Sequence, residues 1–203
     1  MKIGVLALQG DFAEHITMLR RMNAEAIEVR LPGQLKGIDG LIIPGGESTT
    51  IGKLASAYGL MEPIRNFGKK QPIWGTCAGA IFLSRDTHSE QPLLGLMDIT
   101  MERNAFGRQV DSFEIDLHVP GLENPKQPFR AIFIRAPLIE RVGKGVKVLA
   151  HLPEGLKDGG RIVAAHQGHL LATSFHPELT GDDRFHRFFL DLSKGREAYD
   201  PSI

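Results

Sequence analysis

The chain holds one cysteine, and the residues around it constrain how the backbone can run there. Pro72-Ile73-Trp74 reads as the end of a buried strand, and Ala80-Ile81-Phe82-Leu83 as the start of a helix. Between them lies Gly75-Thr76-Cys77-Ala78-Gly79. A nucleophilic side chain at a tight strand-to-helix turn needs neighbours with small or absent side chains, because the turn is sharp and strained. A thiol placed there also meets the backbone N–H groups of the helix start, which favour its ionised form. A buried cysteine acting as a small hydrophobe would not require the flanking glycines.

The rest of the chain supplies the frame for such a turn. Lys2 to Leu8 is a short, nearly all-apolar run, as expected of a strand buried on both faces. Asp11 reads as the cap of the next helix, with Glu14 as its capping-box partner and Phe12, Ile16, Leu19 and Met22 as the apolar stripe. Ala26–Leu31 and Leu41–Ile43 read as strands, and helices are predicted over Thr49–Ala57 and Glu62–Phe67. Strands alternating with helices imply parallel pairing, with the site at the strands' C-terminal ends. Further on, Asp98–Arg103, Ser112–Val119, Arg130–Arg135, Val146–Leu152, Arg161–Ala165 and Leu170–Phe175 read as strands separated by turn signals. The expected fold is therefore α/β: a mostly parallel central sheet flanked by helices, with added antiparallel strands. A last helix is predicted over Asp182–Leu192, followed by a loose tail over about 193–203. Neither an internal repeat nor a low-complexity linker divides residues 1–203, so a single domain is expected.

Composition narrows the partners. Lysine plus arginine equals aspartate plus glutamate at 24 each, so no net field draws nucleic acid or an anionic membrane. A protein near its isoelectric point associates readily, which suits a subunit of a complex. One cysteine excludes an internal disulfide or a cysteine-rich zinc site. The first residues lack the pattern of a signal peptide, and no apolar run approaches the roughly 20 residues of a membrane span. A cytoplasmic location is expected.

A cysteine nucleophile needs a base, and the base an orienting group. Ser174-Phe175-His176-Pro177-Glu178 offers both: on an extended chain His176 and Glu178 project to one side. The oxyanion of an acyl transfer needs N–H donors. Ala78, next after the nucleophile, offers one, and the glycine-rich Pro44-Gly45-Gly46-Glu47-Ser48 loop offers the other near Gly46. A phosphate-loop reading of that segment fails, because five residues separate Gly46 from Gly52 and Leu54 follows Lys53. Arg103 and Arg135, near strand ends, could hold a substrate carboxylate or serve as surface ion pairs. His166 and His169 flank a hairpin turn rather than forming a metal pair. His15, His88, His118, His151 and His186 show no partner pattern and read as surface or partly buried residues.

Together these segments resemble the class I, triad-type glutamine amidotransferases, whose signatures are a Pro-Gly-Gly loop, a Gly-x-Cys-x-Gly elbow and a C-terminal His-Pro-Glu. Within that family the chain resembles the glutaminase subunits of pyridoxal 5′-phosphate synthases. The likeness lies in Gly4 to Gly10, Pro44 to Thr50, Gly75 to Gly79, Glu102 to Phe113, Phe133 to Pro137 and Ser174 to Thr180. It implies a flavodoxin-like core and a triad of Cys77, His176 and Glu178. It also implies an L-glutamine site lined by Gly46, Glu47, Ser48, Arg103, Ile134 and Arg135. It further implies hydrolysis of L-glutamine without cofactor or metal, and a (β/α)₈-barrel synthase partner in an assembly of twelve copies of each subunit. Two alternatives stay open on the residues alone: the glutaminase of another amidotransferase, such as imidazole glycerol phosphate synthase, and a Cys-elbow peptidase.

Overall fold

The computed structural model describes residues 1–106, 112–156 and 158–195. The Gly107–Asp111 part of the motif run and the tail from Arg196 to Ile203 lie outside the described residues.

The strands of the first half are β1 (Lys2–Leu6), β2 (Glu25–Val29), β3 (Gly40–Ile43) and β4 (Ile73–Thr76). With β12 (Leu170–Thr173) they pair in parallel in the order β2-β1-β3-β4-β12. That is the doubly wound order in which sites open beyond the strands' C-terminal ends. The sheet then turns antiparallel. β12 pairs with β11 (Ile162–Gln167) as a hairpin, and β11 with both β9 (Leu138–Val142) and β10 (Lys147–His151). β9 pairs antiparallel with β6 (Met97–Glu102), and β6 in turn pairs in parallel with the edge strand β5 (Ser84–Asp86). A separate antiparallel ribbon joins β7 (Ser112–Leu117) to β8 (Phe129–Ile134).

Helices cover both faces because the parallel strands are buried on both. Residues 3, 5, 42, 74 and 171 point into one core with α1 (Phe12–Arg21), α5 (Arg184–Ser193) and the β7–β8 ribbon. Leu6, Leu41, Ile43 and Ile73 point the other way, toward α2 (Ser48–Ala57), α3 (Met61–Gly68) and α4 (Ala78–Leu83). This is the period-2 alternation of a strand inside an all-apolar run. The first core is aromatic. Trp74 is fully buried and lies against Phe185 and Phe189 at ring-centroid distances of 6.3 and 5.7 Å. Phe175 meets Phe129, Phe133 and Phe185. Each such pair adds about 0.5–1.5 kcal/mol beyond burial, so the strand entering the cysteine turn and the segment before His176 share one rigid support.

Two expectations need correction, and two strands are unforeseen. Asp11 stands at the N-terminus of α1, but its side chain makes no cap hydrogen bond, because the carboxylate is turned to the site. Strands β5 and β9 carry no sequence expectation: β5 is three residues long, and β9 follows a proline without a clear alternation. The expected loose tail begins too early, since α5 includes Ser193, and Lys194 and Gly195 donate N–H bonds to Asp191 and Leu192.

Candidate active site

The cysteine turn is built as its glycines require. Cys77 has φ 47° and ψ −108°, a strained conformation for a side-chain-bearing residue, worth of order 1–3 kcal/mol. It is held by its N–H to Thr173 O at 2.8 Å and by its own carbonyl, which accepts from Ala80 and Ile81. A Cβ on Gly75 would stand 2.4 Å from Gly79 O, and one on Gly79 only 1.9 Å from Ile43 O. Glycine is thus what lets β4, α4 and the loop after β3 converge. The first N–H groups of α4, including that of Ala78, have no partner within the helix and face outward at its start.

His176 follows β12, anchored by its N–H to Ile132 O at 2.8 Å. The expected extended geometry does not hold: His176 precedes a 3₁₀ turn, Pro177–Leu179, rather than continuing a strand. The turn folds Glu178 back, and its Oε1 lies 2.7 Å from His176 Nδ1. Both residues are buried, at 3% and 6% exposure. A second carboxylate, Asp11 Oδ2, stands 3.4 Å from the same Nδ1. Burial works against a charge on His176. Hydrogen bonds to Asp11, Cys77 and Glu178 outweigh it and push its pKa up to about 12. Burial pushes the Glu178 carboxyl up, and the His176 hydrogen bond pulls it back. The arrangement favours imidazolium beside Cys77, with a carboxylate fixing the ring.

These groups line a cleft of about 390 Å³, bounded by Gly46, Glu47, Ser48, Cys77, Ala78, Arg103, Ile134, Arg135 and His176. All six residues expected at a glutamine site are therefore brought to one wall system with Cys77 and Ala78, while Glu178 sits behind His176. Glu47 caps α2, accepting from Thr49 N and Thr50 N at 3.1 and 2.7 Å. Its slight burial would raise its carboxyl, but the Thr50 and Thr49 hydrogen bonds lower it to about 2. Arg103 reaches Glu47 Oε1 at 3.4 Å and Gln91 Oε1 at 3.0 Å, so it is tethered at the cleft rather than loose on the surface. Arg135 sits in left-handed backbone at φ 43°, directly after Ile134, whose carbonyl lies 3.9 Å from Cys77 Sγ.

The β1–α1 loop is the part sequence reasoning missed. Gln9, Gly10 and Asp11 also line the cleft. Gln9 Oε1 accepts from Glu47 N at 2.7 Å, and Asp11 N donates to Gly45 O at 3.1 Å. The signal was their place at the C-terminal end of the first strand, where such sheets put their sites. His15 and His186, expected at the surface or partly buried, are fully buried behind Glu178; helical spacing put His15 on the inner face of α1 beside Ile16 and Leu19. His166 and His169 are engaged with the carbonyls of Gly168 and Gly68. Among the described residues, the side chains close enough to share an ion are Asp11, His176 and Glu178, within 4.8 Å. Their nitrogen is already committed to the carboxylates.

Comparison with known proteins gives the chain a family. The model of the SNO glutamine amidotransferase family matches residues 5–194. The protein named pyridoxal 5′-phosphate synthase subunit PdxT of Roseiflexus sp. (strain RS-1) is 56% identical over 196 residues, 95% of this chain and all of that one. The protein of the same name from Herpetosiphon aurantiacus is 58% identical over 197 residues, again 95% of this chain and all of its own. A crystal structure described as a glutamine amidotransferase is 52% identical, with a TM-score of 0.86 over 95% of this chain and 98% of that one. PurLQS from Thermotoga maritima shares the fold at 17% identity, with a TM-score of 0.67 over 90% of this chain and 89% of that chain. The chain belongs to the SNO glutamine amidotransferase family.

Proposed function

We propose that this chain is the glutaminase subunit of a pyridoxal 5′-phosphate synthase, hydrolysing L-glutamine to L-glutamate and ammonia. One observation carries the reading: Cys77, at a strained strand-to-helix turn, shares a cleft with His176, whose far nitrogen is 2.7 Å from Glu178. In this reading Cys77 thiolate attacks the side-chain amide carbon of glutamine. Ala78 N–H and an N–H near Gly46 receive the oxyanion. The C–N bond then breaks, His176 gives its proton to the departing ammonia, and a glutamyl thioester remains on Cys77. His176 next takes a proton from water, which attacks the thioester; the C–S bond breaks and glutamate leaves. Gly46, Glu47, Ser48, Arg103, Ile134 and Arg135 hold the amino acid, with Arg103 and Arg135 available to its carboxylate.

The curated relatives are subunits of a synthase, which supports release of ammonia to a partner rather than to solvent. The partner in this reading is a (β/α)₈-barrel subunit, twelve copies with twelve of this chain, in the cytoplasm, with residues 1–203 forming one domain. No described helix is long and apolar enough to cross a membrane. The glycines at 45 and 46 leave the oxyanion loop free to adopt a second setting, so glutaminase activity is expected to rise when the partner binds. The test is ammonia release from glutamine with and without the barrel subunit, together with glutamine-dependent formation of pyridoxal 5′-phosphate. Cys77→Ala is expected to abolish ammonia release while still binding the partner. Full activity in that variant sinks the nucleophile assignment, and equal rates with and without partner refute the gating. Ammonia transfer to imidazole glycerol phosphate synthase instead would redirect the pathway assignment.

A further inference from the structure

The carboxylate that orients His176 is itself oriented, and the residue that does it stands outside the cleft. Glu178 uses Oε1 on His176 and leaves Oε2 fully buried without a hydrogen-bond partner of good geometry. A buried carboxylate oxygen without a donor keeps the full penalty of its lost hydration. The nitrogen facing it is His15 Nε2, at 3.3 Å, with both side chains at zero exposure. His15 Nδ1 lies 3.0 Å from His186 Nε2, and its Nε2 is also 3.3 Å from Thr76 Oγ1. His186 Nδ1 has no partner.

The proton positions follow by elimination. Burial, then the neighbouring His186 and His176, lower the His15 pKa well below its ordinary value, so the ring carries one hydrogen. Burial likewise lowers His186 to about 3, so it too is neutral. Suppose the His15 hydrogen were on Nδ1, donating to His186 Nε2. Then His186 would hold its hydrogen on Nδ1, a buried N–H with no acceptor, and His15 would turn a lone pair toward the Glu178 oxygen. In the other arrangement His186 Nε2–H donates to His15 Nδ1, and His15 Nε2–H stands between Thr76 Oγ1 and Glu178 Oε2, each at 3.3 Å. That leaves the His186 Nδ1 lone pair unmatched, the milder defect, and puts a donor rather than a lone pair beside Glu178 Oε2. We propose that His15 is a positioning residue for the reaction: its Nε2–H steadies Glu178 Oε2, with its tautomer set by His186, so that Glu178 Oε1 holds His176 Nδ1 and aims the ring at Cys77.

The chain of contacts runs from α5 through α1 and the 3₁₀ turn to the thiol. The ionisable groups facing it are Glu178, His176, His186 and Asp11, with Asp183 acting on His186. The proposal rests on the glutaminase reading for its rates but not for its geometry. The experiment compares His15→Leu, which keeps bulk and removes the N–H, with His15→Gln, whose amide can donate in place of Nε2. Glutamine hydrolysis is measured with the synthase partner present, melting temperature in parallel, and the pH profile of Cys77 alkylation by iodoacetamide on the chain alone. Groups that orient metal-bound histidines from the outer shell typically cost roughly ten- to a hundredfold in activity when lost, and the same scale is expected for this orienting contact. The expected result for His15→Leu is a kcat drop of that size with unchanged KM for glutamine, and an alkylation profile moved to higher pH because His176 is less well held as imidazolium. His15→Gln is expected to recover most of both. A His15→Leu variant with wild-type kcat and profile overturns the proposal. So does a His15→Gln variant that melts like the wild type yet is as impaired as His15→Leu. Should the wild type release no ammonia, the glutaminase reading falls, while the alkylation profiles still decide the role of His15.

Discussion

Gly10→Ala is the sharpest perturbation of the cleft that leaves every reacting side chain in place. Gly10 has φ +99°, and a Cβ there would lie 1.7 Å from the carbonyl oxygen of Gly45. Real Cβ atoms do not approach below 3.0 Å, so that oxygen must retreat by at least 1.3 Å, the difference between the two distances. The oxygen belongs to the Gly45–Gly46 peptide, whose N–H is the proposed second oxyanion donor. The same retreat breaks the 3.1 Å bond from Asp11 N to Gly45 O. Its loss costs about 1 kcal/mol, and alanine in this backbone region of order 1–3 kcal/mol. A melting temperature about 5–15 °C lower is expected from that total. A displacement of about 1 Å in a catalytic group can cost roughly a hundredfold in rate. The assay is ammonia release with the partner bound, at saturating glutamine, with the folded fraction checked by circular dichroism. Gly33→Ala is the control: nothing lies within 4 Å of its added Cβ. A folded Gly10→Ala enzyme with wild-type kcat would show that the loop's position does not govern catalysis.

Other outcomes follow from the same coordinates. Glu47→Ala removes the α2 cap and is expected to cost about 1 kcal/mol by urea unfolding at pH 7. Because the Glu47 pKa is depressed to about 2, that contribution is present above its unfolded value near 4.5 and fades as pH falls toward 2; a difference that persists unchanged at pH 2 contradicts the capping role. The depressed pKa values of His15 and His186 predict acid sensitivity. Below about pH 6.5 the unfolded chain takes up protons that the folded one refuses, at about 1 kcal/mol per pH unit for each group. The raised carboxyl of Glu178 offsets part of this, and the stabilisation from raised His176 is already complete below pH 6.5 and is lost only as pH rises toward 12, so it adds no slope here. His186→Phe should flatten the slope of unfolding free energy between pH 6.5 and 5, and an unchanged slope rules out the buried neutral state.

Much of the site was legible because its parts are local. Glycines at 75 and 79 are demanded by contacts of 2.4 and 1.9 Å, and a sequence shows such a demand as an absence of side chains. The pair His176 and Glu178 was readable as neighbours, although for a mistaken reason: a 3₁₀ turn, not an extended strand, brings them together. Asp11 was misread because a helix start explains an aspartate adequately, and nothing local says that its carboxylate faces His176 instead. Strand β9 escaped because it takes its place from its pairing with β6 and β11 rather than from its own alternation.

Local chemistry in the sequence was enough for the α/β order of elements, the thiol at its turn and the identity of its base. Backbone sterics and hydrophobic periodicity act over a few residues, so they leave marks within a few residues. The tertiary structure alone decided what stands behind the base. His15 and His186 are 171 residues apart and meet only because α1 and α5 pack on the same face of the sheet. Burial there removes the water that would otherwise serve Glu178. A buried polar group's need for partners is a property of the finished core, and no window of sequence contains it.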